Sequence, residues 1–472
     1  MRRLPAGVAG LAILAAMVGV GAASPAATGS WVGRYTLGGG DDFAVTLSDK
    51  QALVTLGVGH ADLQAVALST VGGRVRFQLP GRPAPLAFDG VIASGKLAGT
   101  VRQGALRGTF SARPGSGSGF VARGLYRAGS SFDAVVDDAY GPARLVDLDS
   151  GKVRALYPSG TGFAIGSGFA TRTPSTGTAA FTPTSASIGG TLAKRVRVRQ
   201  LEVRFRSGTV TLAGTLSIPP GAGKHAAVAF VHGSGPTGRA YLPDLSAMLL
   251  RHGVAVLVYD KRGIGQSGGI YPGDSPTAGT IDNLARDAAA AARFLAAQPE
   301  IDRSRVGLTG HSQAGWIAPL AAAREPAIRF LALFSGPAVT ADESDVYQDL
   351  AGEGAHPAQL SDAAIDAEVL KRGPGGFDPI PSIRKLKIPA LWVYGGKDSF
   401  IPTRLSARRL APIAAEMGRD FTVADFPNAN HALVETTTGL TSEMLRSDTF
   451  ARGLFTRVGD WLRARALASP LR

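Results

Sequence analysis

The 472-residue chain contains no cysteine. This absence excludes disulfide bonds, a lipid attached through an N-terminal cysteine, and catalysis by a thiol nucleophile. Histidine is scarce too, with seven residues in the chain, and none of them has the spacing typical of a zinc site. A mechanism that needs an imidazole therefore has few candidates, and we expect neither a metal nor a cofactor.

Concentrated charge is also missing, although the formal net charge is +14. The chain has no long basic run and no basic stretch interleaved with aromatic residues, the two features that indicate nucleic-acid binding. We therefore predict no nucleic-acid partner. The positive net charge still allows a weak attraction to acidic cell-wall polymers. A hydrophobic content of 45% and a charged content of 18% are typical of a globular protein.

The apolar stretch near the N-terminus, Leu11–Val20, is shorter than the ~20 residues that a membrane span needs. Arg2 and Arg3 precede this stretch and small residues follow it, which is typical of a secretory signal peptide over residues 1–24. The arginine pair is compatible with twin-arginine export. We expect an exported protein, secreted, periplasmic or cell-wall associated, with no stable span after cleavage; a single membrane anchor is the alternative.

The first two hundred residues have the pattern of β-structure and carry no catalytic constellation. Residues 30–119 alternate between apolar and polar side chains in short segments such as Arg74–Leu79, which predicts an antiparallel sandwich or small barrel. Gly115–Gly119 indicates a linker. A second small β-rich region and linker cover residues 120–199 and include a Gly/Ser/Thr-rich tract at Gly160–Gly190. We interpret both as accessory regions; an independent binding module is the alternative.

Residues 200–472 have longer apolar runs that alternate with helical patterns. Near-continuous apolar runs are typical of buried parallel strands, and six are found: Ala226–Val231, Val254–Tyr259, Arg305–Leu308, Phe330–Phe334, Ala390–Tyr394 and Phe421–Ala424. A helical pattern at Asp282–Leu295 lies between two of them. This order predicts a doubly wound, mostly parallel α/β sheet, whose site lies at the carboxyl ends of the strands.

Two serines compete for the role of nucleophile. Ser267 satisfies Gly-x-Ser-x-Gly at Gly265–Gly269, but turn residues flank it and no helix follows. The same loop spells a dinucleotide-binding pattern, Gly263–Gly268, that should open a helix and instead runs into Tyr271-Pro272. Ser312 breaks the strict pattern with Ala314, yet it follows a strand and precedes a helical pattern. The nucleophile elbow requires that context, so we predict Ser312.

The base and the acid follow from chain order, which in this architecture is Ser, acid, His. His356 and His431 are the histidines downstream of Ser312; His356 lies in a Gly/Pro-rich segment and His431 follows the last predicted strand, so we predict His431. Asp398 comes directly after the strand at Ala390–Tyr394 and is the predicted acid. Asp425, within or just after the last strand, is its competitor.

A serine mechanism also needs backbone N–H donors for the oxyanion. Gln313, the residue after the nucleophile, is one predicted donor. The second should come from the glycine-containing loop at His232–Pro236, where we predict Ser234, with Gly233 as the fallback. His232 and His311 are then expected to be hydrogen-bonded packing groups rather than bases.

Together these motifs resemble the α/β-hydrolase superfamily over residues 200 to 465, and more narrowly bacterial secreted esterases related to dienelactone hydrolases and serine aminopeptidases. The motifs are His232–Pro236, Asp260–Ser267, Gly310–Gly315, Gly395–Asp398 and His431. The N-terminal β-region is similar to an accessory domain that some secreted members carry. The chain departs from the family at Ala314, where glycine is usual, but alanine is also small.

The resemblance implies an exported serine hydrolase that cleaves small-molecule carboxylic esters through an acyl-enzyme. A triad does not separate ester from amide cleavage, so a serine peptidase or aminopeptidase is the alternative. A non-catalytic binding protein on a hydrolase scaffold is the alternative of another class. Substrate choice is expected in the cap segment between Gly336 and Leu386, which contains Tyr347, Leu350, Leu360 and Phe377.

Overall fold

The structure is a computed structural model. It describes residues 29–37, 40–47, 51–56, 64–114, 122–136, 143–160, 162–171, 174–239, 241–352, 360–465, 467 and 471. The predicted signal peptide and the predicted linker Gly115–Gly119 lie outside these residues, as does His356. Within the described part of the chain, no helix has both the length and the apolar character needed to cross a membrane.

Eight N-terminal strands form a closed antiparallel barrel, which we name barrel 1. They are β1 (Gly29–Thr36), β2 (Gly40–Leu47), β3 (Gln51–Leu56), β4 (Gln64–Val71), β5 (Arg74–Leu79), β7 (Leu86–Ala93), β8 (Lys96–Gln103) and β9 (Leu106–Pro114), with a two-residue strand, β6 (Gly81–Arg82), between β5 and β7. Along β5 the residues alternate between exposed and buried, as the sequence predicts. The buried set fills the barrel, where Phe77 stacks on Phe88 with 4.8 Å between ring centroids.

A second closed antiparallel barrel of eight strands, barrel 2, follows. Its strands are β10 (Gly124–Ala128), β11 (Ser131–Val136), β12 (Ala143–Asp147), β13 (Val153–Ser159), β14 (Gly162–Ile165), β15 (Gly177–Phe181), β16 (Ser185–Ile188) and β17 (Thr191–Arg195). Three of them lie in the Gly/Ser/Thr-rich tract. Alternating Ala and Ile side chains of Gly177–Arg195 point into the barrel core, so this part of the region is β-structure.

The rest of the chain forms a mixed, mostly parallel sheet of nine strands in the order β25-β24-β23-β22-β20-β21-β19-β18-β6. The new strands are β18 (Arg199–Ser207), β19 (Val210–Ile218), β20 (His225–Val231), β21 (Ala255–Tyr259), β22 (Ile301–His311), β23 (Phe330–Phe334), β24 (Ala390–Gly395) and β25 (Phe421–Phe426). The six strands from β20 onward pair in parallel, so their carboxyl ends meet at one edge. All six runs predicted from the sequence are strands.

Helices cover both faces of this sheet. They are α1 (Pro243–Arg251), α2 (Ala278–Ala296), α3 (Ala314–Ala322), α4 (Ala341–Leu350), α5 (Asp362–Arg372), α6 (Ile380–Lys385), α7 (Thr403–Glu416) and α8 (Leu454–Ala464), with a 3₁₀ turn at Thr441–Arg446. Buried apolar residues of α2, α3, α6 and α7 pack on one face, and those of α1 and α8 pack on the other. The start of α2 is stabilised by the Thr277 hydroxyl, which accepts from the backbone N–H of Thr280.

Barrel 1 is joined to the sheet by strand pairing and by buried polar groups. Its β6 pairs in parallel with β18 and becomes the edge strand of the sheet. The Arg204 guanidinium donates to the Leu37 carbonyl (2.7 Å) and to the Gln103 side chain (3.1 Å). The Gln266 amide donates to the Tyr35 hydroxyl at 2.5 Å. Barrel 1 thus contacts the loop at Asp260–Ser267 directly.

Barrel 2 shares a hydrophobic core with the α1 and α8 face of the sheet. It also pairs with the segment 447–450, since Val153 N–H donates to the Asp448 carbonyl and Phe450 N–H donates to the Gly151 carbonyl. The same segment bonds to the chain just after His431, where Glu435 N–H donates to the Thr449 carbonyl. Barrel 2 therefore stabilises the part of the chain that carries His431.

Candidate active site

Ser312 lies in the sharp turn between β22 and α3, at the carboxyl edge of the parallel strands. Its φ of 57° is in the left-handed region, which is strained for a residue with a side chain. The turn needs small neighbours. A Cβ on Gly310 would lie 2.5 Å from the Cβ of Ala314, and one on Gly315 would lie 2.4 Å from the backbone nitrogen of Pro337. Ala314 fits without a clash of its own because the glycine opposite leaves it room.

His431 and Asp398 form a hydrogen-bonded pair next to this turn. The imidazole Nδ1 of His431 lies 2.8 Å from Oδ2 of Asp398. The other oxygen, Oδ1, accepts from the backbone N–H groups of Phe400 (2.8 Å) and Ile401 (2.9 Å). Asp398 is 2% exposed, so both oxygens have partners in a buried setting, and the carboxylate is fixed in orientation.

The backbone carbonyl of His431 accepts two hydrogen bonds that hold its loop in place. The Ser335 hydroxyl donates to it at 2.8 Å, and Nε2 of His311 donates to it at 2.8 Å. Ser335 comes directly after β23 and has a φ of 48°, so its backbone is strained to reach this position. The ring of Phe400 packs against the imidazole of His431 at 4.8 Å. His431 is thus positioned by residues at the ends of β22 and β23 and in the loop after β24.

His311 is held as a neutral imidazole by its two partners. Because Nε2 donates to a carbonyl, Nδ1 is free to accept, and the Tyr241 hydroxyl donates to it at 3.0 Å. Burial, and then the neighbouring His431, lower the pKa of His311 to about 3. His232, 2% exposed, also has a partner, the Gly238 carbonyl at 3.2 Å. Both are hydrogen-bonded packing groups, as the sequence predicts.

The loop at Gly233–Gly235 lies directly against the turn at Ser312. A Cβ on Gly233 would be 3.3 Å from the Cβ of Ser312. The ammonium of Lys261 donates to the carbonyls of Gly233 (2.5 Å) and Gly235 (2.8 Å), which fixes the orientation of both carbonyls. The N–H of Gly235 donates to Asp274 at 2.5 Å, and a backbone hydrogen bond from Gly233 acts on the Tyr241 hydroxyl.

Ser312 and His431 line the same cavity, of about 330 Å³. Ser234 and Gln313, the two predicted oxyanion donors, line it too. The structure therefore brings the five predicted site residues to one place, although Asp398 lies behind His431 rather than in the cavity wall.

The alternative residues are placed elsewhere. The Ser267 hydroxyl is buried and used within its loop: it donates to the Asp260 carbonyl (2.7 Å) and accepts from the Ala213 N–H (2.9 Å). Its glycine-rich loop continues into turns rather than a helix. Asp425 is an exposed residue of β25, without the contact to His431 that Asp398 makes. Within the described residues, no cluster of three or more His, Asp or Glu side chains could hold a metal ion.

The cap segment contributes different residues from those named in the sequence. The Tyr347 hydroxyl donates to the Asp398 carbonyl at 2.8 Å and is buried, so it stabilises the acid loop. Leu350, Leu360 and Phe377 are outside the cavity wall. Helix α4 instead presents Ser344, Asp345 and Gln348 to the cavity.

Sequence reasoning missed several residues that position the site: Tyr241, Lys261, Ser335 and Phe400. Ser335 carried a signal, since it follows a predicted parallel strand at the edge where sites lie. Lys261 belongs to the motif at Asp260–Ser267, but its role depends on Gly233 and Gly235, which lie 28 and 26 residues earlier in the chain. Tyr241 lies in an irregular segment with no pattern around it, so only the fold reveals its contact.

Three buried histidines predict a stability that falls in acid. Burial is the first cause that lowers the pKa values of His232, His252 and His311 to about 3, 4 and 3. Below pH 6.5 the unfolded chain binds protons that the folded protein excludes, so the free energy of unfolding decreases as the pH falls. Each histidine contributes about 1.4 kcal/mol per pH unit.

Urea unfolding between pH 6.5 and 4.5 checks this expectation. The three groups together give a slope of about 4 kcal/mol per pH unit well below pH 6.5. His252, which lies under α8 and away from the cavity, supplies the control: His252→Gln should remove about a third of the histidine slope. A slope that this substitution leaves unchanged would contradict the assignment of His252 as a buried neutral group.

The α/β part of the chain resembles the α/β-hydrolase superfamily. Residues 222–359 match the model of a family described as serine aminopeptidase, S33. The match confirms the resemblance predicted from the sequence and supports a hydrolase. No curated protein matches the chain.

Similar solved structures are hydrolases of several kinds. An esterase of Pyrococcus furiosus is 19% identical, with 57% of this chain and 91% of that chain covered and a TM-score of 0.39. A dienelactone hydrolase of Anabaena variabilis is 18% identical, with 58% and 99% covered and a TM-score of 0.36. An acylaminoacyl peptidase of Pyrococcus horikoshii is 12% identical, with 92% and 75% covered and a TM-score of 0.42.

Proposed function

We propose that the protein is an exported serine hydrolase that cleaves small carboxylic esters through Ser312, His431 and Asp398. The observation that carries the proposal is the 2.8 Å pair of His431 Nδ1 and Asp398 Oδ2 beside a cavity that Ser312 also lines. The strained φ of Ser312 supports the role of nucleophile, since strain of this kind is concentrated at functional sites. Export rests on the signal-peptide pattern of residues 1–24.

The proposed reaction starts from the tautomer that Asp398 selects. The carboxylate accepts a hydrogen bond from Nδ1–H of His431. Nε2, on the opposite side of the ring, is therefore left unprotonated. Ser312 Oγ attacks the ester carbonyl while Nε2 takes its proton, and the alcohol leaves with that proton. Water then attacks the acyl-enzyme with His431 again as base. The Asp398 carboxylate stabilises the imidazolium in both steps.

The oxyanion is proposed to bind to the backbone N–H groups of Gln313 and Ser234. Two neighbours of Ser234 already use their amides, Gly235 on Asp274 and Gly233 on Tyr241. This leaves Ser234 as the donor of the loop that can face the cavity, and supports it over Gly233. Lys261 acts as a positioning residue here, because its two hydrogen bonds fix the conformation of the loop that carries the proposed donor.

A panel of substrates tests the proposal. The cavity of about 330 Å³ is at the small end of the range for ligand sites and favours short acyl chains. We expect p-nitrophenyl acetate and butyrate to be hydrolysed faster than the octanoate, and all of them faster than p-nitroanilides with the same acyl group. Faster cleavage of the anilides would favour a peptidase.

Two acceptor groups in the cavity favour a second candidate, an aminopeptidase. Gln313 is 2% exposed, and its side-chain oxygen has no hydrogen-bond partner among the described residues. Asp345 of α4 lines the same cavity, and its carboxylate has no partner in the described part of the chain. A buried acceptor without a partner and a carboxylate together suit a substrate that carries an ammonium group.

Asp345→Asn separates the two candidates. If Asp345 binds the ammonium group of the substrate, the substitution should raise KM for an alanyl p-nitrophenyl ester roughly fivefold, which is the loss expected for an exposed ion pair. KM for p-nitrophenyl acetate should stay unchanged. Asp425→Asn removes the same charge outside the cavity and is the matched control. An equal KM for the alanyl ester in wild type and Asp345→Asn would exclude amine recognition by Asp345.

A further inference from the structure

A second cavity, of about 560 Å³, lies where barrel 2 meets the sheet. It is formed by β17 and the segment after it, by the loop before β20, and by Arg305 in the first half of β22. The loop before β20 and Arg305 belong to the amino-terminal parts of parallel strands of the sheet, whereas Ser312 is at their carboxyl edge. The seven residues of β20 separate the two cavities by roughly 20 Å. We name the second cavity the basal cleft.

The basal cleft is lined by six arginine and lysine side chains and by no carboxylate. Arg195 and Arg305 are ordered by the protein: Arg195 donates to the Tyr126 hydroxyl at 2.8 Å, and Arg305 pairs with Asp302 at 2.8 Å. The other four have no carboxylate partner among the described residues: Arg127, Lys194, Arg197 and Lys224. Their positive charge is therefore not neutralised by a carboxylate of the residues that the structure describes.

One strand pair places like charges in direct register. Arg127 of β10 is the cross-strand partner of Lys194 of β17, at the seam that closes barrel 2. Like charges opposite each other on antiparallel strands destabilise the pairing. An anion bound between them would turn this repulsion into attraction. Burial first, and then the nearby charges of Arg305 and Arg199, lower the pKa of His225, another lining residue.

We propose that the basal cleft binds an anion with two or more closely spaced phosphate groups. Guanidinium groups bind phosphate oxygens through paired N–H donors, and four of the six cations are arginines. The volume of about 560 Å³ exceeds the needs of a single phosphate and is within the range of small-molecule sites. The exposed ends of Lys194, Arg197 and Lys224 surround the opening and attract the anion as it approaches.

Titration calorimetry with inorganic tripolyphosphate tests the proposal on the full chain. Wild type should bind one tripolyphosphate, and added salt should weaken the binding because it screens the cleft's charges. Arg127→Gln/Lys194→Gln should weaken binding about a hundredfold, tenfold for each charge-assisted bond lost. Lys96→Gln/Lys387→Gln removes the same charge from exposed sites outside the cleft and should bind like wild type.

Thermal unfolding separates a lost site from a damaged fold. Without tripolyphosphate, Arg127→Gln/Lys194→Gln should melt no lower than wild type, since the cross-strand repulsion is gone. With tripolyphosphate, wild type should gain Tm and this variant should not. If that variant fails to fold, Arg197→Gln/Lys224→Gln replaces it in the binding measurement and should also weaken tripolyphosphate binding. Ester hydrolysis should be unchanged in these variants, and Ser312→Ala should bind tripolyphosphate like wild type, so the proposal is independent of the catalytic one.

Three results would overturn the proposal. The first is no binding of tripolyphosphate by wild type. The second is equal binding by the cleft variant and by Lys96→Gln/Lys387→Gln, which would assign the attraction to net charge. The third is adsorption to phosphatidylglycerol vesicles without tripolyphosphate binding, which would assign it to an open surface. Binding of tripolyphosphate without adsorption to vesicles would support the proposal and would indicate that the ligand is a soluble oligophosphate rather than a lipid headgroup.

Discussion

Replacing Ser312 by alanine is expected to lower kcat for p-nitrophenyl acetate by about six orders of magnitude, the loss typical of removing a serine nucleophile. His431 and the oxyanion donors remain in Ser312→Ala, but no group is left that can form the acyl-enzyme. Alanine also fits the turn as well as serine does, so the fold and Tm should be retained. The initial rate of p-nitrophenol release measures the effect.

Ser267→Ala is the matched control, because Ser267 satisfies the strict motif and Ser312 does not. Its hydroxyl bonds to the Asp260 carbonyl and the Ala213 N–H, and its loss leaves two buried groups without a partner. The free energy of unfolding should fall by about 1–3 kcal/mol while kcat of the folded enzyme stays near wild type. An inactive but stable Ser267→Ala, with an active Ser312→Ala, would reverse the assignment.

The second large effect is expected for Asp398→Asn, with kcat about four orders of magnitude below wild type. The reason lies in the hydrogen bonds that orient the carboxylate. Phe400 and Ile401 donate to Oδ1, so the asparagine oxygen should take that place and turn its NH₂ toward His431. Nδ1 must then accept, the proton moves to Nε2, and the imidazole can no longer remove a proton from Ser312.

Asp425→Asn is the control for this prediction, since Asp425 is the competing acid in the sequence. It is exposed on β25 and should keep wild-type kcat. A pH-rate profile of both variants, measured with p-nitrophenyl acetate, distinguishes a lost acid from a damaged fold. Comparable losses in the two variants, or a larger loss in Asp425→Asn, would contradict the role of Asp398.

The strands and the nucleophile turn could be predicted because their signals are local. Continuous apolar runs identify the buried parallel strands, and a serine between a strand and a helix identifies the turn at Ser312. Chain order then left Asp398 and His431 as partners. Each of these inferences uses neighbouring residues or their order, and needs no knowledge of packing.

The parts that sequence reasoning missed depend on contacts between distant segments. Ser335 is 96 residues from His431, whose carbonyl it binds. The strands at Gly177–Arg195 are short and rich in small polar residues, so their β-structure shows only once the barrel closes around them. The basal cleft is assembled from six separate segments of the chain. No local pattern of any one segment indicates that their charges meet.

The two barrels also contact loops next to the candidate active site, which the composition of the sequence does not indicate. Barrel 1 supplies the edge strand β6 and contacts the loop at Asp260–Ser267 through Gln266. Barrel 2 bonds to the segment 447–450, which in turn bonds to the chain after His431. Both barrels therefore support loops next to the candidate active site, which favours the interpretation as accessory regions over an independent binding module.

Covalent labelling by a fluorophosphonate tests the central proposal most directly, since this reagent phosphonylates an activated serine hydroxyl much faster than an ordinary one. The labelled protein is digested and the modified residue is identified by mass spectrometry. We predict one adduct per chain, on Ser312, abolished by Ser312→Ala and strongly slowed by Asp398→Asn. An adduct on Ser267, or an unlabelled wild-type protein, would contradict the account, and the unlabelled result would favour a non-catalytic binding protein.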